Sequence, residues 1–311
     1  MLRIDVHQHL WSERLVDALA ARRRPPYVRR DGRRWKLTVP GEAASAVEVD
    51  RGRAAERLHL DGLDLAMLSL SSLLGVEALP RDEAAPLLGA YHDTLDELPG
   101  EFRGWGALPL REAVAADVDR VLARGACGVC IPAGAIATPA GIERLEPMLA
   151  RIEQRGAPLF VHPGPDPFEG PAAPVGGPAW FPALTSYVAS MNAAWHAFVA
   201  VGRSRLRRLQ VVFAMLAGGA PLHLERLTAR GGSAAGALDR RLFYDTSSYG
   251  SQAIAAMVGV VGLDQLLHGS DRPVVAPPAP PGPLGSAGWE AMTRTNPARV
   301  FGRASRRLAQ A

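Results

Sequence analysis

The stretch Ile4-Asp5-Val6-His7-Gln8-His9-Leu10-Trp11 is a short apolar run that ends in two imidazoles two residues apart. Alternate residues of a strand share a face, so an extended backbone here turns His7 and His9 toward one point. Neutral imidazole is a common metal ligand, and a catalytic zinc site takes three protein ligands and leaves one position open. The competing reading is a strand whose histidines merely lie near the surface. What separates the two is whether the rest of the chain brings further ligands to the same place.

Downstream, short apolar segments alternate with helical periodicity. Strands are expected near residues 65, 104, 128, 159, 211, 242 and 265, which makes eight with the first. Helices are expected over 83–98, 112–124, 141–155, 184–201 and 251–260, with further ones after Pro221 and from about Asn296. Continuously apolar strands separated by helices are parallel and buried on both faces. At 311 residues their natural closure is a single (β/α)₈ TIM barrel spanning 1–311. An open doubly wound sheet would want a Gly-rich phosphate loop after the first strand, and none is there.

Pro25-Pro26-Tyr27, the Asp31-Gly32 turn and the alternation from Trp35 to Val39 mark a small β-hairpin insertion over about 24–52. Two long irregular stretches follow barrel strands: 163–182, with seven prolines, and 274–288. Loops of such length in a compact domain are usually functional or disordered, and both are expected as lids.

Composition narrows the classes. The chain is 48% hydrophobic and 21% charged, with net charge +4. Its densest basic region is Arg22-Arg23-Arg24 with the segment from Arg29 to Arg34. A nucleic-acid binder would carry a basic face with aromatics or a recognisable motif; neither is found, and no nucleic-acid partner is expected. Cys127 and Cys130 are the only cysteines, and Cys127-Gly128-Val129-Cys130-Ile131 reads as a buried strand. Two core thiols fit a reducing compartment. No apolar run reaches the roughly 18 residues a membrane helix needs, and no signal peptide is read before the first strand, so a soluble cytoplasmic protein without a membrane partner is expected.

In a (β/α)₈ barrel the C-terminal ends of the strands converge on one mouth. His7 and His9 end the first strand, His162 ends Leu159-Phe160-Val161-His162, and Asp271 ends the eighth in His268-Gly269-Ser270-Asp271-Arg272-Pro273. Such a His₃Asp set holds Zn²⁺ at roughly 2.0–2.2 Å and brings the pKa of a bound water to about 7. Alone, His162 reads as a core histidine and Asp271 as a cap or turn residue; jointly they make a site. Trp11, Trp180 on the first long loop and Arg272 are candidate contacts for a small-molecule substrate. Arg272 would grip a carboxylate as a fork, or else form an ordinary ion pair; Tyr249 is a weaker candidate. The remaining histidines, 59, 92, 196, 223 and 268, read as structural or surface residues. His196 is the one placed closest to the mouth, and alternation puts His268 on the face opposite Asp271.

Several motifs together resemble the amidohydrolase-related family of the amidohydrolase superfamily. They are Asp5-Val6-His7-Gln8-His9, Phe160-Val161-His162-Pro163, Val211–Pro221 with Gly218-Gly219, Tyr244-Asp245-Thr246-Ser247, Gly269-Ser270-Asp271-Arg272-Pro273 and Asn296-Pro297-Ala298-Arg299. That group includes aminocarboxymuconate-semialdehyde decarboxylase, γ-resorcylate decarboxylase and pyrone-dicarboxylate lactonase. The resemblance implies one divalent metal ion, usually zinc and sometimes manganese, at His7, His9, His162 and Asp271. It implies an enzyme that is either a hydrolase, using metal-activated water on a small cyclic or carboxylated molecule, or a non-oxidative decarboxylase. Family resemblance and the apolar loop residues lean toward a homodimer.

One position departs from the pattern. The family's sixth strand typically ends in a histidine before Gly-Gly, and here Met215 stands in its place. A thioether has no proton to exchange and is a poor zinc ligand in a His/Asp setting, whereas general-base help is worth about 10²–10⁴-fold. Three expectations follow: Asp271 carries the proton, the chemistry has been rerouted, or the barrel binds without turnover. Met215 is then part of the substrate pocket.

Overall fold

In a computed structural model, which describes residues 2–169, 176–233, 238–277, 279, 282 and 284–308, the chain forms a closed parallel barrel. Its strands are β1 (Ile4–Gln8), β5 (Leu65–Leu68), β6 (Phe102–Gly104), β7 (Val129–Pro132), β8 (Leu159–His162), β9 (Val211–Phe213), β10 (Leu242–Asp245) and β11 (Leu266–Leu267). Ladders run β1-β5-β6 and β7-β8-β9-β10-β11. Bridges Gly106↔Val129 and Gln8↔Arg272 join the two sets into one ring. Val6 N donates to His268 O at 2.9 Å and Asp271 N to His7 O at 2.9 Å, so β1 is zipped to the segment after β11. The eight apolar strands alternating with helices that the sequence predicts are thus realised as (β/α)₈ closure, with strands shorter than their apolar runs.

The expected hairpin carries a third strand. β2 (Tyr27–Asp31), β3 (Arg34–Thr38) and β4 (Ser45–Val47) pair antiparallel in order. Val28, Leu37 and Val47 face inward and pack with Leu15, Val16 and Leu19 of helix Glu13–Ala20 and with helix Arg81–Glu97. The basic stretch is largely compensated: Arg22 and Arg24 pair with Glu83, Arg34 with Glu48, and Arg29 and Arg30 lie over Tyr27 and Trp35.

Inside the barrel, Trp105 stacks on Phe160 with ring centroids 4.9 Å apart, and its indole N–H donates to Val6 O at 2.9 Å. Phe160 lies two residues before His162, so strand alternation puts an aromatic layer directly under the imidazoles; its ring meets His7 edge-on at 5.0 Å. Cys127 and Cys130 are buried free thiols in the same core, both pushed up by burial.

The two Pro-rich stretches are only partly described. Residues 170–175 and Pro278, Pro280, Pro281 and Pro283 lie outside the described residues, so the expectation that these loops are lids falls partly there. Among the described residues no helix is long and apolar enough to cross a membrane.

Candidate metal centre

β1 does not run straight into the site. Its register against β5 shifts by one residue between Asp5 and Gln8, a bulge of the kind that re-aims a side chain. The Asp5 carboxylate serves this irregularity. Its Oδ1 accepts from His7 N at 3.0 Å and Ser270 N at 3.1 Å, and its Oδ2 accepts from Gln8 Nε2 at 2.8 Å. Asp5 therefore fixes β1 and the segment leading to Asp271 against each other.

Above this, His7, His9 and His162 converge, all buried. His9 Nε2 stands 3.2 Å from His7 Nε2 and 3.4 Å from His162 Nε2. Asp271 Oδ1 is 3.2 Å from His9 Nε2 and 3.7 Å from His7 Nε2. Ligands held roughly 2.0–2.2 Å from a tetrahedral centre would stand roughly 3.3–3.6 Å apart, and the His9 contacts to His7, His162 and Asp271 lie close to that spacing. Among the described residues, His7, His9 and His162 form the one gathered set of three ligand side chains, with Asp271 beside His9 and His7.

The other ring nitrogens are all committed. His7 Nδ1 donates to Asp245 Oδ2 at 2.8 Å, His9 Nδ1 to Ser69 O at 2.9 Å and His162 Nδ1 to Pro163 O at 2.7 Å. A carbonyl oxygen only accepts, so the proton sits on Nδ1 and the Nε2 lone pair points at the common centre; such outer partners orient metal-binding imidazoles. Burial holds the His162 imidazole well below its ordinary range, with the other two imidazoles adding to the effect, and neutral is the state a ligand needs. At His7 burial also works downward, but Asp245, Asp271 and Asp5 outweigh it and the imidazole is raised. Burial works to raise the Asp271 carboxyl; contact with His9 and the nearness of His7 and His162 hold it below the usual carboxylate range. Asp271 adopts φ +57°, and Ser248 Oγ donates to its Oδ2 at 3.1 Å, which leaves Oδ1 for the cluster. The donor set fits a divalent cation.

Asp245 is the residue that sequence reasoning passed over, although it lay inside a quoted motif. It is fully buried. Besides His7, its Oδ1 accepts from Met215 N at 3.0 Å, from Ser247 N at 2.9 Å and from Ser247 Oγ. A Cβ at Gly269 would stand 2.8 Å from Asp245 Cγ, so glycine leaves the carboxylate its room.

Met215 opens a left-handed turn at the end of β9. φ is +50° at Met215, +49° at Leu216 and +54° at Ala217, continuing through Gly218 and Gly219. A Cβ at Gly218 would meet Val188 O at 2.6 Å, so helix Ser186–Ala197 packs on the backbone of the turn.

The other candidate contacts fall elsewhere. Both oxygens of Asp61 take the Arg272 fork, at 2.7 and 2.9 Å. Trp11 packs on the core between helix Glu13–Ala20 and the insertion. Trp180 is 60% exposed beside Phe181. His268 packs its ring on Trp289, and His196 lies outside the histidine cluster, beside His223. A pair not expected from the sequence is Tyr187, whose phenol donates to Glu42 Oε1 of the insertion at 2.6 Å. Burial, Glu42 and the Asp271 charge all push that phenol up, and burial raises Glu42 against the bond from Tyr187.

No protein-family model and no curated protein sequence matches the chain. Solved structures do. The apo form of IDCase from Metarhizium anisopliae is 18% identical with TM-score 0.76, over 98% of this chain and 97% of that one. The 5-carboxyvanillate decarboxylase LigW from Sphingomonas paucimobilis is 19% identical with TM-score 0.75, over 96% and 98%. The 5-carboxyvanillate decarboxylase from Novosphingobium aromaticivorans, complexed with manganese and 4-hydroxy-3-methoxy-5-nitrobenzoic acid, is 18% identical with TM-score 0.70, over 96% of each chain. At this identity the likeness establishes the fold: the barrel and its excursions are shared over nearly the full length.

Proposed function

We propose that the chain is a metal-dependent enzyme of the amidohydrolase-related family that removes carbon dioxide from a small hydroxylated aromatic acid. The observation that carries the reading is the convergence of the His7, His9 and His162 Nε2 atoms beside Asp271, with every remaining ring nitrogen already bonded. These four residues would hold zinc or manganese. Bound there, such a cation supplies the positive charge that anchors a substrate carboxylate and a neighbouring oxygen.

Met215 favours decarboxylation over hydrolysis. Hydrolysis needs a base to take a proton from water, and a thioether cannot; decarboxylation needs one proton delivered to carbon. Asp271, held as a carboxylate, is a ligand and acceptor. The donor we assign is the Glu42–Tyr187 pair, since a carboxyl raised by burial keeps its proton closer to neutrality. Support for an aromatic acid comes from the 5-carboxyvanillate decarboxylases that share the fold. Hydrolysis of a lactone or amide is the second reading, favoured by the mononuclear His₃Asp donor set itself, which also suits a metal-activated water.

Elemental mass spectrometry of purified protein comes first: near-stoichiometric zinc or manganese, lost in Asp271→Ala, is expected. A wild-type protein that cannot be loaded would leave a binding protein without turnover as the reading. Metal-loaded protein is then offered 5-carboxyvanillate, 2,6-dihydroxybenzoate and a lactone in ¹⁸O water. Carbon dioxide without ¹⁸O in the organic product supports decarboxylation, and ¹⁸O incorporation supports hydrolysis. Tyr187→Phe is expected to lower kcat by about 10²-fold with metal content unchanged.

We further infer a cytoplasmic homodimer. The exposed apolar side chains Trp180, Phe181 and Leu184 on one short helix supply a contact surface, and the free buried thiols fit a reducing setting. Light scattering at micromolar concentration checks the dimer.

A further inference from the structure

Away from the barrel mouth, two neighbouring segments gather basic side chains for which the described residues show no carboxylate partner. Asn192 and His196 on helix Ser186–Ala197 face His223, Arg226, Leu227 and Arg230 across a cavity of about 390 Å³. This is the size of a small-molecule site. Several other surface arginines are paired: Arg151 and Arg155 with Asp119, Arg205 with Glu143 and Glu146, Arg124 with Asp93 and Asp96. Arg226 and Arg230 have no acidic partner among the described residues. They stand four apart, where like charges on a helix repel.

Two imidazoles line the same cavity. Burial lowers His196, and the charge of His223 lowers it further. The charge that acts on His196 is that of His223, and the two guanidiniums, the Asn192 amide and Leu227 line the same cavity. An arrangement that repels when vacant becomes favourable with an anion between its members. Guanidinium forks and imidazolium N–H groups are the donors that bind phosphate oxygens.

We propose that this cavity binds a small phosphorylated ligand, at a site separate from the metal centre and independent of the reading given for it. The separation is not complete. Asn192 N lies 3.3 Å from where a Gly218 Cβ would be, so the cavity shares a wall with the left-handed turn that begins at Met215.

Isothermal titration calorimetry of the full chain with inorganic pyrophosphate tests the proposal at about pH 6 and about pH 8, either side of the imidazole range. Saturable binding with one site per chain is expected. Arg226→Gln with Arg230→Gln is expected to weaken it by about tenfold or more, with the fold checked by circular dichroism. Binding should survive in Asp271→Asn, which disables the metal cluster, and in Arg207→Gln with Arg208→Gln, which removes exposed arginines outside the cavity. No saturable heat at the lower pH, or unchanged affinity in the Arg226/Arg230 variant, overturns the proposal. So does loss of binding in Asp271→Asn, because the anion would then belong to the metal centre.

Discussion

The ends of β1 and β9 face the same mouth on opposite terms. At β1, a bulge served by Asp5 presents two imidazoles, and each spare nitrogen has a fixed acceptor. At β9, three consecutive non-glycine residues are held at positive φ, an arrangement that costs roughly 1–2 kcal/mol per residue, and the side chain at its head is a thioether. Asp245 serves both ends, with one oxygen on His7 and the other on Met215 N. The scaffold of the β9 end is therefore maintained through the same carboxylate that orients a metal ligand, whether or not its leading residue takes part in chemistry. Conformation and reactive group are separable here.

Making the two ends alike is the largest test. Met215→His places an imidazole at a left-handed position that histidine tolerates, and hydrolysis of a lactone by metal-activated water is expected to rise by about 10²–10⁴-fold. Equal activity would show that the proton already has another route. Next is Asp245→Asn, which would turn an amide N–H toward His7 Nδ1 and drive the ring to the wrong tautomer. Metal affinity is expected to fall about 10–100-fold, read by competition with a chromogenic chelator. Unchanged affinity would mean that the His7 orientation is set by the bulge alone.

Gly269→Ala crowds the shared carboxylate without changing its charge. With Asp245 Cγ only 2.8 Å from the new Cβ, a loss of about 1–3 kcal/mol is expected in urea unfolding. The smallest effect concerns β9 alone. Ala217→Gly relieves a left-handed alanine at the expense of chain entropy, so a gain of about 0.5–1 kcal/mol is expected. A loss would mean that the alanine methyl packs better than the strain costs.

The residues at the two ends were not equally legible in the sequence. His7 and His9 are readable because their spacing is local and strand geometry does the rest. His162 and Asp271 become readable once the alternation of elements implies a barrel, since closure tells where strand ends go. The Gly218-Gly219 pair hints at a turn, but nothing in Met215-Leu216-Ala217 announces left-handed backbone; that follows from the helix packed on it. Asp245 looks like any strand-end aspartate until its partners arrive from β1 and β9. The Arg272 fork is taken by Asp61, 211 residues away, and Glu42 meets Tyr187 across 145. Pairings over such separations are set by tertiary packing, which local pattern does not carry.

The seam where Val6 N meets His268 O and Asp271 N meets His7 O has a consequence for biosynthesis. On a ribosome adding roughly 5–20 residues each second, β1 emerges tens of seconds before the strand that completes its hydrogen bonding. Until then Val6 N and His7 O lack the partners they have in the folded barrel. Closure of the ring therefore waits on the segment from His268 to Asp271, and a chain cut short of it would leave β1 with one open edge.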